Sequence, residues 1–260
     1  MSYWAERVAK AQTKLTNKNR RQIEKQLKKY YKDAMNKAIS DFEDTYNQYL
    51  SAIEAGREPS PATLYKLDKY WVGQAQLKHQ LQKLGDKQAK VLSEIFELQF
   101  FDIYYSIAIP GSDAFNTVDA VMAQQMINQI WCADNKSWSQ RIWENTELLA
   151  ETLNEELIHC VVSGKKTTEL KNLLQERFNV SYARADMLVR TELAHIQTQA
   201  AQKRYEDYGI QEVEIWADED ERRCDVCGDL HQKKYPMGAV VPIPAHPNCR
   251  CCVVPVVEID

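Results

Sequence analysis

Five of the seven cysteines lie between Cys224 and Cys252, and they fall into two groups. Cys224 and Cys227 make a C-x2-C pair, while Cys249, Cys251 and Cys252 follow His246. About 18 residues separate the groups, and Gly228, Pro236, Gly238, Pro242, Pro244 and Pro247 punctuate this region with turn formers. A C-x2-C pair followed at this distance by H-x2-C has the spacing of a structural zinc site, because two side chains from one tight turn reach the same tetrahedral ion. The ligand set expected is Cys224, Cys227, His246 and Cys249, with Cys251 as the substitute if His246 is not a ligand. His231, four residues after Cys227, is a competing candidate. Cys252 is not expected to join, because neighbours on an extended chain point to opposite faces. Two other readings stay open: reduced thiols that only pack, and disulfides. Disulfides belong to oxidising compartments, and the first 20 residues contain no apolar leader segment. Cys132 and Cys160 sit in helical surroundings and read as small buried hydrophobes.

Other chemistries fit less well, and no catalytic residue is expected. A zinc deaminase needs H-x-E with P-C-x-x-C, but no histidine here is followed by x-E, and Arg223 precedes Cys224. The chain holds eight glycines and no phosphate-cradling glycine loop, which argues against a P-loop or dinucleotide enzyme. A zinc-dependent nuclease would draft His231 or His246 as its base, yet four protein ligands leave no place for a water. Arg190 and Glu192 are two apart on a helix and cannot pair with each other. Glu192 reads instead as a contact residue toward Arg184, Asp186 or His195, and His195 and His159 as packed or solvated histidines.

The elements that must carry these residues are mostly helical. From Leu27 the apolar residues recur every three to four positions through Tyr30 or Tyr31, Ala34, Ala38, Phe42, Tyr46, Tyr49 and Ile53, one buried stripe. Gly56 and Pro59-Ser60-Pro61 break it, with Ser60 as N-cap and Pro61 at the first helical position of a second long helix through Leu98. Two such helices joined by a short break form an antiparallel hairpin. Their aromatic stripe serves either self-packing or a partner helix. Leu98–Ile109 is a buried helix end or a short strand, stopped by Pro110-Gly111, and one helix is expected around Val118–Trp131. Ser137 and Gln140 give a capping-box pattern for a helix ending at Gly164. Thr167 or Thr168 then starts a short helix ending near Phe178-Asn179, and Ser181 caps a longer one to Tyr208, stopped by Gly209. Alternation through Val213, Ile215 and Ala217 marks a strand; Val240-Val241 and Val253–Val257 suggest two more, the last at an edge because of Pro255. The fold expected is mainly α with a small C-terminal β unit: a helical hairpin arm over 1–110, a helical core domain over 111–209 and a Cys/His β unit over 210–260. That β unit is too small for an ample core, so a metal staple suits it.

The charge is uneven. The net charge is −4, but residues 1–40 hold eleven Lys/Arg against three Asp/Glu, and residues 211–260 hold five against ten. The basic end, through Arg20, Arg21, Lys25, Lys28 and Lys29, is a candidate contact for double-stranded DNA; the plain alternative is a solvated helix face. No apolar run approaches the roughly 18 residues of a membrane span.

The order Trp138, Gly164, Arg190-Thr191-Glu192, Trp216, Asp220, Arg223-Cys224-Asp225-Val226-Cys227, Leu230 and Pro244-Ala245-His246-Pro247-Asn248-Cys249-Arg250-Cys251 resembles the minor capsid, or head morphogenesis, proteins of tailed bacteriophages, the Mu F-type family. Ser2-Tyr3-Trp4-Ala5-Glu6-Arg7 is similar to the start of such proteins in phages of Gram-positive hosts. The H-P-x-C-R-C box with the upstream R-x-C-x-x-C is the most specific part, and Cys252 adds a thiol beyond it. The resemblance implies a structural protein of the procapsid that associates with the portal protein, with scaffold or major capsid protein as further partners. It also implies a place inside the virion head, assembly in the host cytoplasm and, in some members, exit with the DNA.

Overall fold

One 52-residue helix, α1 (Tyr3–Glu54), opens the computed structural model, which describes residues 3–109, 117–218 and 220–257. No glycine or proline interrupts α1, so the backbone keeps its hydrogen-bond ladder until Gly56, whose φ of +91° is open to a residue without a Cβ. The Ser60 hydroxyl accepts the main-chain N–H of Thr63 at 3.2 Å and caps α2 (Pro61–Tyr65). The expected second long helix does not run on from Pro61. It restarts after Lys66-Leu67 as α3 (Asp68–Ser106), with an acidic residue in its first turn. Leu98–Ile109 is therefore a helix end rather than a strand. The expected stop at Pro110-Gly111, like Ser2, lies outside the described residues.

Asp119 caps the eight-residue α4 (Ala120–Ile127), shorter than the expected Val118–Trp131, and α5 (Trp138–Ser163) ends at Gly164 with φ +61°. The expected break at Asn179 is absent. α6 (Thr167–Asp207) is continuous over 41 residues, because neither glycine nor proline stands between Phe178 and Tyr182. Ser181 is buried, and its hydroxyl lies 3.2 Å from the Tyr31 phenol instead of capping a new helix. Gly209, at φ +70°, ends α6.

A three-stranded antiparallel sheet follows, ordered β2-β1-β3: β1 (Glu212–Trp216), β2 (Lys234–Pro236) and β3 (Cys252–Pro255). Val213 pairs with Tyr235 on one side and Pro255 on the other, so Pro255 sits on an edge strand as expected. Val240-Val241 is not a strand; Val240 is 93% exposed, and the Ile243 N–H turns back to the Val241 carbonyl at 2.8 Å. A six-residue helix, α7 (Asp225–Leu230), fills the interval after β1. The fold is thus mainly α with a small C-terminal antiparallel sheet.

The chain forms two compact units, each drawn from separated stretches. Unit two comprises Lys25–Val91 and Ser139–Asp186. Its stretches of helices α1 and α3 are linked by Gln80 donating to Asp41 at 2.6 Å, and its fully buried Tyr46 donates to the Cys160 and Lys165 carbonyls at 3.1 and 2.5 Å. Gly85 lies against the Trp143 ring; a methyl group there would meet Cη2 and Cε3 at 2.8 and 2.9 Å, which only glycine avoids. Unit one comprises Met1–Glu24, Leu92–Trp138 and Met187–Asp260 and carries the whole cysteine-rich tail.

Within unit one a buried polar chain joins helices to sheet. Gln12 Nε2 donates to the Tyr205 hydroxyl and the Val253 carbonyl, both at 3.0 Å, and Gln12 Oε1 accepts from Gln197 at 3.2 Å. Tyr205 also donates to the Val253 carbonyl at 3.0 Å. Thr16 continues the chain, donating to Gln197 at 2.5 Å and accepting from Gln99 at 2.6 Å, while Asn19 donates to Gln99 at 2.9 Å. Beside it, Ala5, Cys252 and Val254 form an apolar cluster covered by Ala9 and Trp216. These contacts seat β3 against α1 and α6.

Candidate metal centre

The C-x2-C pair is built on the first turn of α7, where an N–H would otherwise be left open. Cys224 is the N-cap, and its sulfur accepts the Cys227 main-chain N–H at 3.4 Å. This turn points Cys224 and Cys227 to one place. From the other side, the Cys249 N–H donates to the His246 carbonyl at 3.1 Å, and Asn248 holds a left-handed φ of +62°, so the chain doubles back between His246 and Cys249. The Asn248 N–H donates to the Thr191 hydroxyl at 3.1 Å, which ties the loop to α6.

Two sets of potential ligand atoms result, each mutually within 4.8 Å: Cys224, Cys227 and His246, and Cys227, Cys249 and Cys251. Cys227 belongs to both. His246 Nε2 lies 3.2 Å from the Cys224 sulfur and 3.0 Å from that of Cys227, and the Cys227 and Cys249 sulfurs are 3.8 Å apart. A tetrahedral ion with zinc–sulfur bonds near 2.3 Å has sulfur–sulfur edges of about 3.8 Å and sulfur–nitrogen edges of roughly 3.5 Å. The Cys227–Cys249 spacing fits and the imidazole stands slightly closer, whereas Cys249 does not fall into one set with both Cys224 and His246. His246 Nδ1 lies 2.8 Å from the Pro247 carbonyl. An N–H at Nδ1 donated there leaves Nε2 as the bare nitrogen facing the sulfurs, the usual arrangement of a ligating histidine.

The electrostatics fit a cation as well. The Cys249 thiol is lowered to about 5, chiefly by a hydrogen bond with Cys251, while burial pushes Cys227 up to about 12. Cys251 is raised, first by its bond to Cys249 and then by burial, so one sulfur takes the charge while its neighbours hold their protons. Cys224 is lowered by the Cys227 N–H, and His246 is raised chiefly by its bond to Pro247. A positive ion at this point would let several sulfurs ionise together. A void of about 30 Å³ beside Cys224, Cys227, His246 and Cys251 is of the size for one small occupant.

The remaining candidates fall elsewhere. All seven cysteines are unbridged, so the disulfide reading does not hold in this structure. Cys252 points into the apolar cluster with Ala5 and Val254, and Cys160 is buried in unit two. His231 stands in neither ligand set; its Nδ1 accepts the Ala217 N–H at 3.2 Å, and its ring meets Trp216 edge-on. Glu192 is not an exposed residue as one of the expected readings had it. It is buried, and its carboxylate accepts the Trp131 indole N–H at 3.1 Å while His195 stacks on that indole at 4.2 Å. Thr191 and Glu192 thus hold the His246–Cys249 loop and Trp131, roles that need partners far along the chain and could not be seen in the triplet itself. Lys25, Lys28 and Lys29 are exposed on α1, whereas Arg20 and Arg21 line a cleft beside the cysteines. That cleft also holds Arg250, which donates to Asp218 and Asp220 at 2.8 and 2.7 Å. The Asp220 carboxyl is held well below the usual carboxylate range, first by Arg250 and then by Arg222.

No helix among the described residues is long and apolar enough to cross a membrane. No curated protein and no solved structure matches the chain. Residues 151–254, which include the Arg-Thr-Glu triplet and both cysteine groups, match the family model described as Phage Mu protein F like protein, and over that segment the chain is similar to the Mu F-type family.

Proposed function

We propose that this chain is a head morphogenesis protein of a tailed bacteriophage that acts by binding rather than by catalysis. It docks on the portal protein inside the procapsid, next to scaffold or major capsid protein, and its tail is fixed by one zinc ion held by Cys224, Cys227, His246 and Cys249. Cys251, close to Cys227 and Cys249, is the alternative fourth donor. The observation that carries this reading is the convergence of both cysteine groups inside the segment matched by the Mu F-like family.

A bound zinc would supply a tetrahedral cross-link worth roughly 10–16 kcal/mol of apparent binding free energy in small metal-folded units. The chain's own residues do the rest. α7 presents two sulfurs, Thr191 holds the returning loop, and the Gln12–Tyr205–Val253 contacts carry β3 to the helices. Four protein donors fill a tetrahedral shell, which suits a structural ion better than the water-activating ion of a nuclease.

Co-expression with the portal protein tests the docking. The proposal expects the two to co-purify, and portal-containing procapsids to show added density when this chain is present. Portal rings that form normally and never retain the chain contradict it.

A further inference from the structure

Val240-Val241 has the composition of a strand, yet no strand among the described residues pairs with it. The segment that carries it is held at both ends. At one, the Met237 N–H donates to the Gln211 carbonyl at 2.9 Å; at the other stands the turn from His246 to Cys249. Between them, the N–H groups of Val240 and Val241 and the carbonyls of Ala239 and Val240 have no hydrogen-bond partner among the described residues. Val240 is almost wholly exposed, while Val241 and Ile243 are buried and fix the segment in place. Valine suits a paired strand, and an unpaired stretch of backbone is a template for another chain.

This segment and α6 wall a cleft of about 870 Å³ within unit one. On α6 the lining residues His195, Thr198, Gln199, Gln202 and Glu206 recur every three to four positions and share one face. From His195 to Glu206 the helix rises about 16 Å, the length of roughly five extended residues. The charges in the lining answer each other, since Lys203 donates to Glu206 at 3.1 Å. Nothing there attracts a phosphate or a metal ion. The Gln199 and Gln202 amides, which both donate and accept, have no partner among the described residues. His195 is 5% exposed, and its Nε2 also lacks a partner. Trp131, Met237 and Ile243 add apolar surface. Neutral walls, unused amides and an unpaired backbone match a polypeptide main chain with apolar side chains. We propose that this cleft takes an extended, uncharged segment of a partner protein, which adds as a strand along Val240-Val241 and faces the amides of α6. A second copy of this chain would bring a segment fixed at both ends and backed by its own α6, so the occupant is a segment of another protein. The proposal does not depend on portal docking, and either can fail alone.

An array of uncharged nine-residue peptides, blocked at both ends and apolar at alternate positions, is the probe; matched peptides carry lysine or glutamate at those positions. Binding to the full chain is read by fluorescence anisotropy, and pairing by amide hydrogen exchange over residues 237–245. Some uncharged peptides should bind, and the tightest should slow that exchange by roughly tenfold or more. Its charged counterpart should bind at least roughly tenfold more weakly. Methylating its amides along one edge should abolish the protection, because the donors are gone. Val240→Asp and Gln199→Ala/Gln202→Ala should each weaken binding by roughly tenfold. Val162→Asp, at an exposed position on α5, should leave it unchanged. Circular dichroism of each variant separates loss of the cleft from loss of the fold. The proposal is overturned by an array with no binder, by binding that leaves exchange over 237–245 unaltered, or by equal binding of the charged peptides. A folded Val240→Asp protein of undiminished affinity also overturns it. So does a dimer of the chain alone that Val240→Asp splits, since this assigns the face to a second copy.

Discussion

Replacing Gln12 with leucine removes the centre of the polar chain that seats β3, and its magnitude can be worked from the contacts. Three hydrogen bonds disappear, two donated to Tyr205 and Val253 and one accepted from Gln197. At about 1 kcal/mol net for each neutral bond, that is roughly 3 kcal/mol. Tyr205 and the Val253 carbonyl keep each other, but the Gln197 amide N–H is left buried without its acceptor, a further ~1–3 kcal/mol. Leucine buries more apolar surface at similar length, which offsets about 1–2 kcal/mol. The net expectation for Gln12→Leu is a loss of about 2–5 kcal/mol, read as a lower urea midpoint by circular dichroism. Tyr205→Phe should lose about 1–2 kcal/mol, and the double variant should fall short of the sum by about 1 kcal/mol, since both singles break the Gln12–Tyr205 bond. The damage should also reach the tail, so that a chelator strips metal faster from Gln12→Leu although no ligand has changed. A Gln12→Leu protein within about 0.5 kcal/mol of the parent, or single effects that simply add, would refute the reasoning.

Burial holds the His195 pKa at about 4, below its ordinary 6.5, so the folded chain keeps this ring neutral. The unfolded chain takes up a proton first as pH falls, so stability drops between about pH 6.5 and 4, by about 2 kcal/mol from pH 7 to pH 5. His195→Phe should flatten that part of the pH profile, and an unaltered profile counts against the assignment. Thr191→Val removes the acceptor of the exposed Asn248 N–H and should cost about 0.5–1.5 kcal/mol and speed metal loss to a chelator, with Thr191→Ser restoring both. Gly85→Ala should cost about 1–3 kcal/mol by overpacking against Trp143, and Trp143→Leu in the same chain should recover part of it, as thermal melts would read.

Features set by local chemistry were legible in the sequence, and those set by distant partners were not. Ser60 and Pro61 announce a helix start through capping and a fixed φ, and Gly164 and Gly209 announce helix ends through positive φ. Alternation picks out β1 and turns Cys252 away from Cys251. Ser181 misled because a serine near asparagine looks like a cap, whereas its position inside α6 is set by Tyr31 from residues far upstream. β2 is three residues long and exists through pairing with β1, and Val240-Val241, strand-like in composition, has no such partner strand among the described residues. At the site, the C-x2-C and H-x2-C spacing brings the ligand atoms to mind because each group lies within one turn. The Arg250–Asp218–Asp220 network, Gln12 and the cleft wall at Arg190 join residues separated by tens to hundreds of positions, and periodicity carries no trace of them.

Elemental analysis of the purified chain decides whether a metal fastens the tail. About one zinc per chain is expected, lost in Cys227→Ser, whose sulfur belongs to both ligand sets, and retained in Cys252→Ser, whose sulfur packs against Ala5. A parent protein that folds with no zinc, or a Cys227→Ser variant that keeps its full complement, contradicts the account.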